Sequence, residues 1–418
     1  MSAAEELIEF IDASPSPFHA CATAAARLDA AGFRRVEESA EWSDAGPRAY
    51  AVRDGSLVAW SAPERVGRSM PFRIIGAHTD SPNLRIKPQP DLSRAGAHLL
   101  AVEVYGGVLF NTWLDRDLGL SGRVALRGGE IRLVKIDRAV ARIPQLAIHL
   151  DRDVNNGLSL NPQQHLVPLW SLDQGDFHGF LTHEIGAAEG DVVFWDLMLH
   201  DTNPGAVIGR DLEFISAPRL DNLCSCWAAI DALTEAVSSG AINVVALFDH
   251  EEIGSSSNRG ASSPLLESTL ERITLGLGGG REEWRRALAG SVCLSADMAH
   301  ATHPNYSERH EPNHWIALNR GPVVKTNVSE RYATDAASVS QFMEACAGGG
   351  VPLQHFVSRN DMPCGSTIGP ITAARLGIRT FDLGAPQLAM HSARELMGAA
   401  DADLYRRALT TFFANSTT

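Results

Sequence analysis

An α/β fold is predicted, with a mainly parallel sheet flanked by helices and interrupted by an inserted β-rich domain. Three observations predict it. Apolar runs such as "FRIIGA" and "INVVALF" alternate with helical stretches toward both ends of the chain, as strands buried on both faces do. Between them, from about Leu84 to Pro218, the texture changes to short strand-like pieces divided by Gly, Asp and Asn, among them "HLLAVEVYGGVLFNTW" and "GDVVFWDLMLH". The length, 418 residues, exceeds what one hydrophobic core usually serves, so two domains are expected: residues 1–83 with 219–418, and residues 84–218.

In order along the chain, a helix is expected from Ala3 to about Ala13, a break at "SPSP", and a second helix through "HACATAAARLDAAG" that stops at Gly32. "AYAVRDGSLVAWSA" reads as a hairpin turning at Asp54-Gly55, followed by the strand "FRIIGA". Beyond the β-rich block, "LDNLCSCWAAIDALTEAVSS" is expected as a long helix closed by Gly240, then come the strands "INVVALF" and "VCLSAD". A helix "TIGPITAARLG" precedes the strand "TFDLG", and "ARELMGAADADLYRRALTTFFA" is expected to close the chain as a helix.

Composition narrows the function classes. A formal charge of −14 without any Lys/Arg run argues against nucleic acid as a partner. Six cysteines, scattered and without a C-x-x-C pair, suit reduced thiols better than a disulfide framework. The acidic, amphipathic start "MSAAEELIEFIDASPSPF" has neither the basic beginning nor the apolar core of a signal peptide, and no stretch reaches the roughly 20 apolar residues of a membrane span. A soluble, cytoplasmic protein with no membrane partner is the expectation.

Ligands in open α/β sheets bind beyond the carboxyl ends of the strands. There the sequence repeats one habit. "FRIIGA" leads into His78-Thr79-Asp80, "INVVALF" into Asp249-His250-Glu251-Glu252, "VCLSA" into Asp297, and "TFDLGAPQLAM" into His391, while the helix after the insertion opens on Asp221. Any one of these alone reads as a structural histidine or a helix cap. Together they deliver carboxylates to one sheet edge, where they repel and raise each other's pKa unless cations neutralise them. Two His, two Asp and one Glu, without Cys, suit zinc first, with cobalt or manganese as alternatives. Five ligands exceed the needs of one catalytic ion, so two divalent ions sharing a carboxylate are expected, with one of the adjacent glutamates left as general base toward a water nucleophile. Other motifs fail on spacing: "HEIGA" lacks the second His of H-E-x-x-H, the glycines at 276–280 lack the G-x-G-x-x-G pattern, and "CGSTIG" is not a G-x-S-x-G elbow.

The ordered segments "GAHTDSPNLRIKP", "PRLDNL", "LFDHEEIGS", "SADMAHATHPNY", "GPVVKTNVSERYATD", "SRNDMPCGSTIGPI" and "MHSARE" resemble the aspartyl aminopeptidase, or M18, family of dinuclear metallo-aminopeptidases over nearly the whole chain. The resemblance implies the dinuclear zinc-peptidase fold, with the inserted β-rich domain serving oligomerisation. It implies that His78 and Asp297 bind one metal, that Glu252 and His391 bind the other, and that Asp221 bridges both, with a cis peptide after Asp221. Glu251 falls at the general base and Asp80 at the carboxylate that orients His78. His149 matches a histidine that serves a neighbouring subunit's active site; a structural strand histidine is the alternative. Lys325 matches a cation that favours substrates beginning with Asp or Glu, and Tyr332, Asp361 and the turn from Met362 to Thr367 would line the same pocket. Peptide substrates and a homo-oligomer, as large as a dodecamer, are implied as partners. An aminopeptidase of broader or neutral specificity, or a non-catalytic oligomeric scaffold, are the rival expectations.

Overall fold

The computed structural model describes residues 1–237 and 240–414. The chain forms two compact units: Met1–Asp80, Gly205–Met390 and Leu396–Thr418 make one, and Ser81–Pro204 with His391–Glu395 make the other. Beside the expected insertion of 84–218, the second unit starts at Ser81, ends at Pro204, and takes in the short stretch that contains His391.

The first unit holds a nine-stranded mixed sheet in the order Arg34–Arg35, Arg48–Arg53, Ser56–Ser61, Ile242–Phe248, Phe72–His78, Val292–Ala296, Arg379–Gly384, Val323–Thr326, Gln354–Val357. Its middle strands, Ile242–Phe248 through Arg379–Gly384, run parallel. Every residue of Phe72–His78 and of Ile242–Phe248 is buried, which is why both read as unbroken apolar runs. Alternate side chains serve opposite faces: Ile75, Ala77, Val245 and Leu247 join one core cluster, and Phe72, Ile74, Val244 and Ala246 the other.

Two N-terminal helices, Ala3–Ala13 and Pro17–Ala30, lie where the sequence places them. Each starts on a serine cap: the Ser2 hydroxyl accepts the Glu5 N–H while the Glu5 carboxylate accepts that of Ser2, and Ser16 precedes a proline in the first turn. Two expectations are corrected. The helix after the insertion runs Leu220–Glu235, because Ala236 is already extended at φ −71 and ψ 133. Val237 and the serines that follow offer poor helix formers, and residues 238–239 of the expected helix lie outside the described residues. "ELMG" is a strand, Glu395–Gly398, and the last helix is Ala399–Ala414. Pairing of Leu396 with Leu388 and of Met397 with Gln387 overrides the helical propensity of these residues.

In the second unit six strands close into a barrel, in the order Val192–Asp201, Asn83–Arg94, Ala97–Tyr105, Leu169–Ser171, Ile131–Arg142, Asp117–Leu126. Closure removes the sheet edges, and the alternation seen in sequence sends Leu84, Ile86, Leu100, Val102, Leu118 and Leu120 into one core. Among the described residues, no helix is long and apolar enough to cross a membrane.

Candidate metal centre

Three neighbouring parallel strands each end on a polar side chain at the same edge of the sheet. His78 is the last residue of Phe72–His78, the turn Glu251–Ile253 follows Ile242–Phe248, and Asp297 follows Val292–Ala296. Asp221 arrives from the distorted first turn of Leu220–Glu235, where the Asp221-Asn222 peptide is cis, as the resemblance implies. Beside it, the Asn222 amide donates to the Ala296 carbonyl at 2.8 Å, joining this turn to the strand that presents Asp297. A glycine is required next to Asp297: a Cβ on Gly384 would stand 1.9 Å from the Asp297 carbonyl oxygen.

The groups converge on His78, which is 2% exposed. Its Nε2 lies 3.3 Å from Asp221 Oδ1 and 3.8 Å from Asp297 Oδ1. Donor atoms of His78, Asp221 and Glu252 all fall within 4.8 Å of one another. On the other side of the ring, Nδ1 lies 3.0 Å from the backbone carbonyl of Asp80 and 3.4 Å from its carboxylate. That carboxylate has a second task not visible in the sequence. Its two oxygens accept the backbone N–H groups of Glu251 at 3.1 Å and Glu252 at 3.2 Å, so one buried acid holds both the imidazole and the turn of the glutamates.

Electrostatics mark the same cluster. Burial works against a charge on His78, yet Asp221, Asp297 and Asp80 outweigh it and lift its pKa well above the ordinary range. Glu251 is pushed up to about 8, by burial first, with His78 opposing and Asp297, Asp80 and Asp221 adding to the rise. Burial and then Asp221 raise Glu252 well above its usual value. Protons here do the neutralising that a divalent cation does in a set of one imidazole and several carboxylates, so the residues fit a hard or borderline metal ion. Cys226, which the sequence reading passed over, lies close by but is no ligand. Burial pushes its thiol up to about 12, and it donates to the His78 carbonyl at 3.0 Å.

The remaining site candidates are distributed. His391, at φ 67, groups with the barrel unit, where its Nδ1 meets the Gly107 carbonyl at 3.0 Å and its N–H donates to Glu395. Gly107 allows that approach, since a Cβ there would lie 3.0 Å from the imidazole. His149 sits in an exposed turn of the barrel unit, and not in a strand. Lys325 is 2% exposed; its Nζ donates to the carbonyl of Met298, the residue after Asp297, at 3.0 Å and stands 5.1 Å from the centre of the Tyr332 ring. Lys325 also acts on Asp382, whose pKa burial raises and whose charge the ammonium favours. Asp361 is exposed and forms a two-point pair with Arg359, at 2.8 and 2.6 Å.

Comparison with known proteins gives the family of the chain. The family described as "Aminopeptidase I zinc metalloprotease (M18)" matches residues 10–413. A "Probable M18 family aminopeptidase 2" of Streptomyces coelicolor is 53% identical over 417 residues, covering 98% of this chain and 96% of that protein. Among solved structures, the chain in the cryo-EM structure of the Ape4 and Nbr1 complex superposes with a TM-score of 0.94 at 38% identity, covering 99% of this chain and 85% of that one. A dodecamer of mApe1 from S. cerevisiae superposes at 0.86 with 30% identity, covering 99% and 96%. The chain therefore belongs to the M18 family of zinc aminopeptidases, hydrolases that act on peptides.

Proposed function

We propose that this chain is a dinuclear metal-dependent aminopeptidase that removes an N-terminal residue, Asp or Glu by preference, with Glu251 as general base. The observation that carries the reading is the convergence of His78, Asp221 and Glu252 within 4.8 Å, beside a second half-buried glutamate, Glu251. His78, Asp221, Glu252 and Asp297 would hold the ions. His391, carrying its proton on Nδ1 toward Gly107, would add the Nε2 lone pair. Bound there, zinc, or cobalt or manganese in its place, supplies Lewis acidity that lowers the pKa of a water and polarises the scissile carbonyl.

The chain's own residues then do the proton work. With bound cations offsetting the neighbouring carboxylates that help to raise its pKa, Glu251 would be ionised, and would take a proton from the attacking water and return it to the departing amine. Asp80 fixes the backbone that aims it. The Lys325 ammonium would favour an acidic first residue, and Tyr332 and Asp361 would complete that pocket. A second reading, broader or neutral specificity, is favoured by one observation: Lys325 already compensates the buried Asp382.

By analogy with the dodecameric relative, the chain would assemble as a homo-oligomer, with His149 reaching a neighbouring copy. Its cysteines, none in a disulfide and five of them buried, suit a cytoplasmic setting. The test is hydrolysis of chromogenic Asp, Glu, Leu, Ala and Lys amides before chelation, after it, and after metal is restored. Glu251→Gln is expected to lower kcat by about 10²–10⁴ while metal content stays at the wild-type level. Chelator-insensitive turnover removes the metal reading, full activity of Glu251→Gln removes the base, and a Leu amide cleaved faster than Asp removes the acidic preference.

A further inference from the structure

We propose that Arg259 is a positioning residue for Glu251 and Glu252, a role that rests on reading these as general base and metal ligand. The two glutamates follow Asp249 and His250, and one guanidinium holds both of those residues. Arg259 Nε donates to Asp249 Oδ2 at 2.8 Å, and Nη2 meets His250 Nε2 at 3.1 Å. Asp249 is fully buried, and its other oxygen accepts the backbone N–H of His250 at 2.9 Å. A guanidinium only donates, so His250 Nε2 is the acceptor and the ring proton sits on Nδ1, 2.8 Å from the Ser257 hydroxyl. His250 is thereby fixed from both sides of its ring, in the left-handed region at φ 66 that few residues with a Cβ adopt.

Arg259 is itself anchored at both ends. Its carbonyl accepts the Ser56 hydroxyl at 2.7 Å, and the same Ser56 oxygen accepts the Asp249 N–H at 2.9 Å. Nη1 reaches Asp54 at 3.4 Å, on the turn of the neighbouring hairpin. The turn carrying the glutamates is thus clamped twice: Asp80 takes the N–H groups of Glu251 and Glu252, and Arg259 immobilises the two residues before them. A lysine could answer the Asp249 charge, but a single ammonium lacks the fork that also engages the imidazole. A displacement of about 1 Å at a catalytic group costs on the order of 10²-fold in rate, so loss of this clamp should appear in kcat rather than in KM.

Two variants test the proposal: Arg259→Lys, and Asp249→Asn with Arg259→Gln, which removes both charges together and leaves no buried carboxylate uncompensated. With kcat referred to folded, metal-loaded molecules, each variant is expected to lose about ten- to a hundredfold in kcat, with KM within about threefold of wild type. The zinc dissociation constant of the apo chain, measured by competition with a chromogenic chelator, should weaken about tenfold in both, through Glu252. Wild-type kcat per folded molecule in both variants overturns the proposal, as does a loss shared equally by kcat and KM. A wild-type chain that binds zinc but cleaves no amide sinks the proposed function instead, and the zinc constants alone then decide: unchanged constants overturn the role of Arg259.

Discussion

Lys325 illustrates how a single buried charge can have two duties. Its ammonium donates to the Met298 carbonyl and faces Asp382, which also receives the Thr367 hydroxyl and the Ala333 N–H. Lys325→Met is therefore expected to lower the unfolding free energy by about 1–3 kcal/mol, through an unsatisfied carbonyl and a less compensated carboxylate. Adding Asp382→Asn to the same chain should return part of it. Urea unfolding of the single and double variants checks this, and a Lys325→Met chain as stable as wild type would leave the lysine with a substrate role alone. The contrast with the candidate site residues shows what a sequence reveals at this scale. His78, Glu251, Glu252 and Asp297 were legible because each stands at the end of a buried apolar strand or just beyond it, so chain position alone set them at one sheet edge. Arg259 and Asp382 were not, because the loop that folds Arg259 back onto Asp249 and His250 and the distant segments that meet Asp382 carry no local pattern. Even for Asp80 the sequence suggested only the imidazole contact, while its bonds to the Glu251 and Glu252 amides needed the fold.

Among the elements, strands buried on both faces and helices with serine caps were the readable ones, since their local chemistry and their tertiary setting agree. Where they conflict, pairing wins, as in Glu395–Gly398, whose residues favour a helix but complete a ladder with Pro386–Leu388. The helix that starts just after it, Ala399–Ala414, carries an unusual acid in its first turn. Asp401 is fully buried and accepts the backbone N–H groups of Asn319 and Gly321, stapling the helix start to that loop. Burial raises its pKa from 3.8 to about 6 despite those amides. The sign follows from proton counting. Between about pH 4 and 6 the folded chain keeps a proton that the unfolded chain has released, so this group's contribution to stability falls as pH rises through that window. Two pKa units correspond to about 3 kcal/mol as an upper limit. Asp401→Asn lacks this titration, whereas its altered hydrogen bonding is the same at every pH. Relative to wild type, the variant should gain about 2–3 kcal/mol in unfolding free energy between pH 4 and pH 7. Parallel stability curves for the two proteins would contradict this.

For the molecule as a whole, the barrel's closure was the least legible feature. Its strand order joins Val192–Asp201 to both Asn83–Arg94 and Asp117–Leu126, and no local pattern encodes that return. What the sequence did convey globally is an excess of acids, and the fold gathers several of them around His78. Folding must bring those carboxylates together against their repulsion, so an ion that binds only the folded cluster adds its binding free energy to stability. At a free concentration a thousandfold above its dissociation constant, one ion contributes about 4 kcal/mol. Chelation is therefore expected to lower the melting temperature of the chain by several degrees, and restored zinc to raise it again. Because the two compact units need not melt together, scanning calorimetry that resolves separate transitions is the right measurement. Glu251→Gln should keep the full metal-dependent shift, since the proposed base is not a ligand, whereas His78→Ala should lose most of it. A chelator that leaves every transition in place, or a Glu251→Gln chain that no longer responds to zinc, would remove the division of labour between Glu251 and Glu252 on which the proposed chemistry depends.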